Sequence, residues 1–472
     1  MDEEALPAKV GDSVADEVDE PSGPRKGNTL TAASHIITAV IGAGVLALPY
    51  AVANFGWGGG PPMLLMFGAV SLYSSMLLAD LYRYPGPDKG KRNPTYMHCV
   101  RSFLGPKQVW LCGIVQYLVI VILCVGYNVV ASISMAAIRR ADCFHGNYSC
   151  KPDLWQYCVI FGACQIVFSQ IPDLSQATAL SVVAAVMSIT YASIGLGLSI
   201  GKATEHTHSH GTAAGVSIAS VGPAAKAYLI FASLGQTAFA FIYSFVLVEI
   251  EDTLHAKEGM SEARQMKRAN WIGICVTTFY YIAIGCIGYA AFGNDSPSNL
   301  LTGFGFYNPW WLLDLANLCV VIHIIGTWQV IAQPFFAFVE GAIYRRFQRS
   351  KLLHSGFNIP LWKGRILRLR VFSLIWRTAF VCFTTVMAAL FPFFNDIVGI
   401  IGSLGFWPLS VHFPFEMHIA QRKLTRSSPK VILLRALDVF FFFIAVCGII
   451  GNVYGLTQDT KGWEAFGNGY TG

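Results

Sequence analysis

Residues 35–50 read HIITAVIGAGVLALPY, an apolar run with Gly42 and Gly44 flanking Ala43 at its middle and Pro49 further on. Glycine weakens a helix by about 1 kcal/mol and frees the backbone to unwind. Irregular backbone at membrane depth is tolerated only beside protein or a wet cavity. If this run crosses a bilayer, an opening at its middle marks a binding site.

The rest of the chain says that it does cross. Of 472 residues, 54% are hydrophobic and only 13% charged, where about 25% charged is usual for a soluble domain. Apolar runs lie at roughly 28–54, 61–83, 108–138, 154–171, 174–200, 225–249, 270–292, 309–340, 371–392, 395–418 and 431–455. Each is long enough for a spanning helix, which needs about 20 residues. The fourth is the shortest, and the third and eighth are long enough to tilt or protrude. An all-α integral membrane protein with eleven spans follows: an acidic, disordered cytosolic tail at 1–27, a transmembrane domain at 28–455 and a short extracellular tail at 456–472.

Lys and Arg set the orientation. With the amino terminus in the cytosol, 25 of them fall in inner segments and 6 in outer ones, which satisfies the positive-inside rule and leaves the carboxyl terminus outside. The net charge of +6 is spread over short loops between spans, a pattern that fits a membrane and not nucleic acid. Both glycosylation sequons, at Asn147 and Asn294, fall in outer loops; Asn147 is the one far enough from the membrane to be used. Cys143 and Cys150 share the same oxidising side and are expected to form a disulfide.

The sixth span carries a second small-residue interval, from Ser233 through Gly235, Gln236, Thr237, Ala238, Phe239 and Ala240 to Tyr243 and Ser244. It lies five spans after the first. That spacing fits inverted repeats over 28–200 and 225–418, with 431–455 as an eleventh helix, and paired breaks are the best sequence pointer to a substrate site. Freed amides at the start of a half-helix favour a carboxylate, and unpaired carbonyls opposite favour an ammonium group. One zwitterion, an amino acid, satisfies both. The plainer reading is that Gly42 and Gly44 only let helices pack closely.

Ionisable groups inside the spans are few, and each invites a functional reading. His35 and His323 titrate near physiological pH and are candidate proton-coupling groups. Glu249 joins them, although its position also suits a residue that anchors the inner half-helix. Arg377 is expected to snorkel towards the cytosol. The His206-Thr-His208-Ser-His210 stretch has metal-like spacing but sits in a Gly-, Ala- and Ser-rich loop, which argues for a solvated segment. No CxxC pair, HExxH or phosphate-binding loop occurs, and no catalytic residue, metal site or cofactor is expected.

Several stretches resemble the plant amino acid permeases of the amino acid/auxin permease family: 35–46, Gln116-Tyr117, 131–139, 165–173, 243–254 (YSFVLVEIEDTL), 288–294, 299–317, 321–326, 391–395 and 406–417 (FWPLSVHFPFEM). The resemblance spans about residues 27–455. It implies a LeuT-type core and proton-coupled import of amino acids across the plasma membrane by a single chain, with protons as the coupling ion. It also implies that Ile41, Gly42, Ala43, Gly44 and Val45 meet the substrate carboxylate and amine. Gln236, Thr237, Ala238, Phe239, Ala240 and Tyr243 would face the site, with Phe239 as a gate and Tyr127 and Asn128 lining it. His35 and His323 match family histidines. Two departures keep neighbouring readings open. Gln236 stands where many such permeases have Asp, and Leu48-Pro49-Tyr50 is similar to the lysine/histidine-type carriers. A carrier of that type, an auxin-like carrier and a non-transporting amino acid sensor are the alternatives.

Overall fold

The computed structural model describes residues 25, 27–87, 90–148, 150, 152–170, 178–205, 211–256, 260–348, 350, 353, 355–360 and 366–461. Most of the amino-terminal tail, the end of the carboxyl-terminal one and the His206–His210 stretch therefore lie outside the described residues. In chain order the helices are α1 (Thr29–Val40), α2 (Gly44–Leu81), α3 (Tyr96–Leu104), α4 (Pro106–His145), α5 (Leu154–Phe168), α6 (Thr178–Glu205), α7 (Ile218–Val221), α8 (Pro223–Ala240), α9 (Ser244–Asp252), α10 (Glu262–Phe292), α11 (Leu300–Gly303), α12 (Trp310–Arg346), α13 (Val371–Leu390), α14 (Phe394–Gly405), α15 (Phe413–Gln421) and α16 (Pro429–Asp459). A π-helical stretch, Phe406–His412, joins α14 to α15. A 3-10 turn, Gly293–Asp295, and two short antiparallel strand pairs, Arg83–Pro85 with Gly90–Arg92 and Gly356–Pro360 with Ile366–Arg370, are also present.

Among the described residues, nine helical segments are long and apolar enough to cross a membrane, and Thr29–Val40 and Leu154–Phe168 are shorter apolar helices. The first of the nine holds two rods. Gly56, at φ 72° and ψ 179°, takes a conformation reserved for glycine and divides 44–55 from 57–81. Large apolar side chains such as Trp110, Val167, Phe279, Phe383 and Phe443 face outward, as lipid rather than water requires.

The sequence specifies the helix ends locally. Asn28 caps α1: its side-chain oxygen accepts from the amides of Leu30 and Thr31, and Thr31 Oγ1 accepts from the Asn28 amide in return. Gly105 and Gly222, both at positive φ, precede Pro106 and Pro223, which open α4 and α8 with a ring where an amide would have no partner. Cys143, in the last turn of α4, and Cys150, just after it, form the expected disulfide, with Cα atoms 6.0 Å apart.

Two expectations need correction. Arg377 does not snorkel. It is buried, pairs with Glu340 at 2.7 Å and donates to Ser169 O, because a carboxylate on α12 lies within reach inside the protein. The interruption of the sixth span falls at Phe241–Tyr243, and Gly235 to Ala240 remain helical. Gly235 serves close packing instead: α8 lies so near α14 that a methyl group on Gly235 or Gly402 would collide with the opposite backbone.

Candidate functional site

The first break runs from Ile41 to Ala43, between α1 and α2. Ile41 leaves the helical region (φ −75°, ψ 76°), and Gly42 N turns back to Val40 O at 2.8 Å. Val45 N and Leu46 N bond to Gly42 O and Ala43 O. The amides of Ala43 and Gly44 have no acceptor among the described residues. They are the free N–H groups at the start of the next half-helix, which carries the positive end of its dipole. The second break separates α8 from α9, and the two breaks touch. A methyl group built on Gly44 would lie 3.0 Å from Phe239 Cδ1 and 3.1 Å from Ala240 Cα.

Two tyrosines hold the exposed carbonyls. Tyr281, on α10, donates its hydroxyl towards both Val40 O and Ala240 O, the last carbonyls of α1 and α8. Tyr191, on α6, donates to Ile41 O at 3.2 Å. Both are fully buried. Sequence reading passed over them because it searched the spans for charges and histidines. The available signal was a phenol deep in an apolar helix, whose hydroxyl must find a partner when buried.

His323 stands at the same gap. A methyl on Gly42 would lie 3.8 Å from His323 Nε2 and 3.7 Å from the Tyr127 hydroxyl. His323 Nδ1 lies 2.9 Å from Ala184 O, a pairing that requires the proton on Nδ1. Nε2 is then the basic nitrogen, with Thr327 Oγ1 at 3.2 Å as its one described polar neighbour.

The remaining candidates are distributed unevenly. Phe239 and Ala240 pack against the first break, as expected. Gln236 is buried with its side-chain oxygen unpartnered, and Thr237 Oγ1 bonds back to Ser233 O within its own helix. Ala238 O accepts the amide of Phe241 at the end of α8. The Asn128 amide donates to Thr385 on α13, and the Tyr243 hydroxyl donates to Asn270 on α10. His35 is half-buried on α1, nearly two turns before the break. Glu249 accepts from the Tyr96 amide at 3.2 Å, which ties α9 to α3. Asn147 lies in the turn after α4 at φ 57°; the last residue of its sequon, Ser149, is outside the described residues.

Polar contacts tie both ends of this region. At one end, Arg25 pairs with Asp252 (2.8 Å), Arg83 with Glu262 (2.7 Å) and Lys267 with Asp80 (2.6 Å). Tyr82 donates to Asp252 at 2.6 Å. Gly27 bridges to Leu254. At the opposite end, residues 212–216 bond to the backbone on both sides of Gly56, and buried Lys226 donates to Asn54 O and Ala214 O.

Residues 25–458 match the family model described as transmembrane amino acid transporter protein. The chain is 48% identical to Amino acid permease 3 of Arabidopsis thaliana over 96% of this chain and 95% of that one. It is 45% identical to Amino acid permease 6 of the same organism over 97% and 96%. Identity to the Arabidopsis Lysine histidine transporter-like 6 is 30%, over 95% and 94%. Among solved structures, MhsT in complex with L-phenylalanine superposes with a TM-score of 0.56 at 10% identity, covering 91% of this chain and 100% of that one. Mhp1, a nucleobase-cation symporter, gives 0.53 at 14% identity, over 93% and 92%. These likenesses show a LeuT-type transporter fold. The family is one of membrane transporters rather than enzymes, and on sequence matching over almost its whole length this chain belongs to the transmembrane amino acid transporter family.

Proposed function

We propose that this protein is a proton-coupled symporter that imports amino acids across the plasma membrane by alternating access. The observation that carries the reading is the pair of facing helix breaks. The unbonded amides of Ala43 and Gly44 offer a carboxylate subsite, and the carbonyls of Val40 and Ala240 offer an ammonium subsite across the gap. In this reading eleven helices cross the membrane as two inverted repeats of five plus α16. The amino terminus is cytosolic, the carboxyl terminus extracellular, and a single chain suffices.

His323 is the favoured proton acceptor, since its Nε2 faces Gly42, whereas His35 has no described contact with the gap. Glu249 keeps the anchoring role that its bond to the Tyr96 amide gives it. The higher identity to the amino acid permeases supports that branch over a lysine/histidine-type carrier. The test is a screen of labelled amino acids for uptake at two outer pH values, with and without a protonophore. Uptake should rise at the lower pH and collapse with the protonophore. Uptake indifferent to both refutes the coupling, and no uptake of any amino acid refutes the transport.

A further inference from the structure

We infer that Tyr281 is a positioning residue whose hydroxyl clasps the two half-helix ends and competes with the substrate ammonium for a carbonyl, releasing that carbonyl when substrate arrives. The inference rests on the transport reading above. A phenol has one proton to give. Tyr281 directs it at two acceptors, Val40 O and Ala240 O, and each is the last carbonyl of a half-helix, where partial negative charge collects. One proton cannot serve both acceptors fully at the same time.

The two acceptors are not equal. Val40 O also receives the Gly42 amide at 2.8 Å, while Ala240 O has no other donor among the described residues. A primary ammonium brings three donors and a full charge, and its hydrogen bonds are stronger than those of a neutral hydroxyl. The ammonium therefore takes Ala240 O, and the phenol turns wholly to Val40 O. Tyr281 comes from α10, a helix outside both broken ones, so its hydroxyl ties the two hinges to one frame. Tyr191 differs in kind: it serves one carbonyl, Ile41 O, and competes with nothing.

The experiment compares the unaltered full-length chain, Tyr281→Phe and Tyr191→Phe in proteoliposomes, using an equimolar mixture of labelled L-amino acids. Net uptake and exchange against internal unlabelled amino acids are both measured. Loss of a competing hydrogen bond should lower the half-saturating concentration of Tyr281→Phe about fivefold. Its net uptake at saturation should fall while exchange, which does not need the empty carrier to return, is kept. Tyr191→Phe should show no drop in half-saturation.

An unchanged or raised half-saturation in Tyr281→Phe, or equal loss of uptake and exchange, overturns the clasp. Failure of Tyr281→Phe alone to reach the membrane also overturns it, because the hydroxyl would then be a folding element. Silence of the unaltered chain towards the mixture refutes the transport reading instead.

Discussion

Gly44 is the narrowest point of the proposed site. A methyl there already meets Phe239 and Ala240 at 3.0–3.1 Å, so a larger side chain must push the two breaks apart or fill the gap. Gly44→Leu should reduce uptake at least about tenfold with surface expression largely kept, measured by labelled amino acid uptake alongside surface biotinylation. His323→Gln removes the basic Nε2 beside Gly42. Uptake by that variant should lose its rise at acidic outer pH, read from rates at two pH values; a preserved pH ratio counts against His323. The glycines of the first break were legible in the sequence because two of them interrupt one apolar run. The tyrosines were not, since nothing in a sequence says which distant carbonyl a phenol will find. Asn128 and Tyr243 show the same limit from the other side: they are polar groups in the right spans, bonded to Thr385 and Asn270.

At the scale of elements, the apolar runs gave the helices because membrane burial requires an unbroken ladder of backbone hydrogen bonds. The exact position of the second break was hidden. Small residues at 233–240 serve either an opening or close packing, and contact with α14 decided for packing. The bend between the two rods of α2 is a separate case. Gly56 adopts φ 72° and ψ 179° while the backbone of 213–215 presses against it. Gly56→Ala should destabilise the protein by at least about 2 kcal/mol, seen as a lower thermal midpoint of the purified chain in detergent. Val52→Ala, at a buried position of ordinary helical conformation one turn earlier, is the control for simple loss of packing.

Over the whole molecule, the gap is tied at both ends. Arg25, Tyr82 and Asp252 join the amino-terminal segment, the end of α2 and the end of α9 on one side, proposed above to be the cytosolic one, while residues 212–216 clip the opposite side. Alternating access requires these ties to release in turn. Asp252→Asn removes the charge that holds Arg25, so the inner end should open more readily. Net uptake should fall severalfold while efflux from preloaded vesicles rises, and equal changes in both directions would show that the pair is only structural. The positive-inside pattern placed these basic residues on one face but could not reveal their partners, because each pair joins segments far apart in the chain.

Every atom proposed to grip the zwitterion belongs to the main chain: two amides, at Ala43 and Gly44, and one carbonyl, at Ala240. A codon change alters a side chain, but apart from proline it leaves these groups in place. Descendant genes can therefore drift in diet through Phe239 or Tyr127 while the handle common to all α-amino acids is inherited intact.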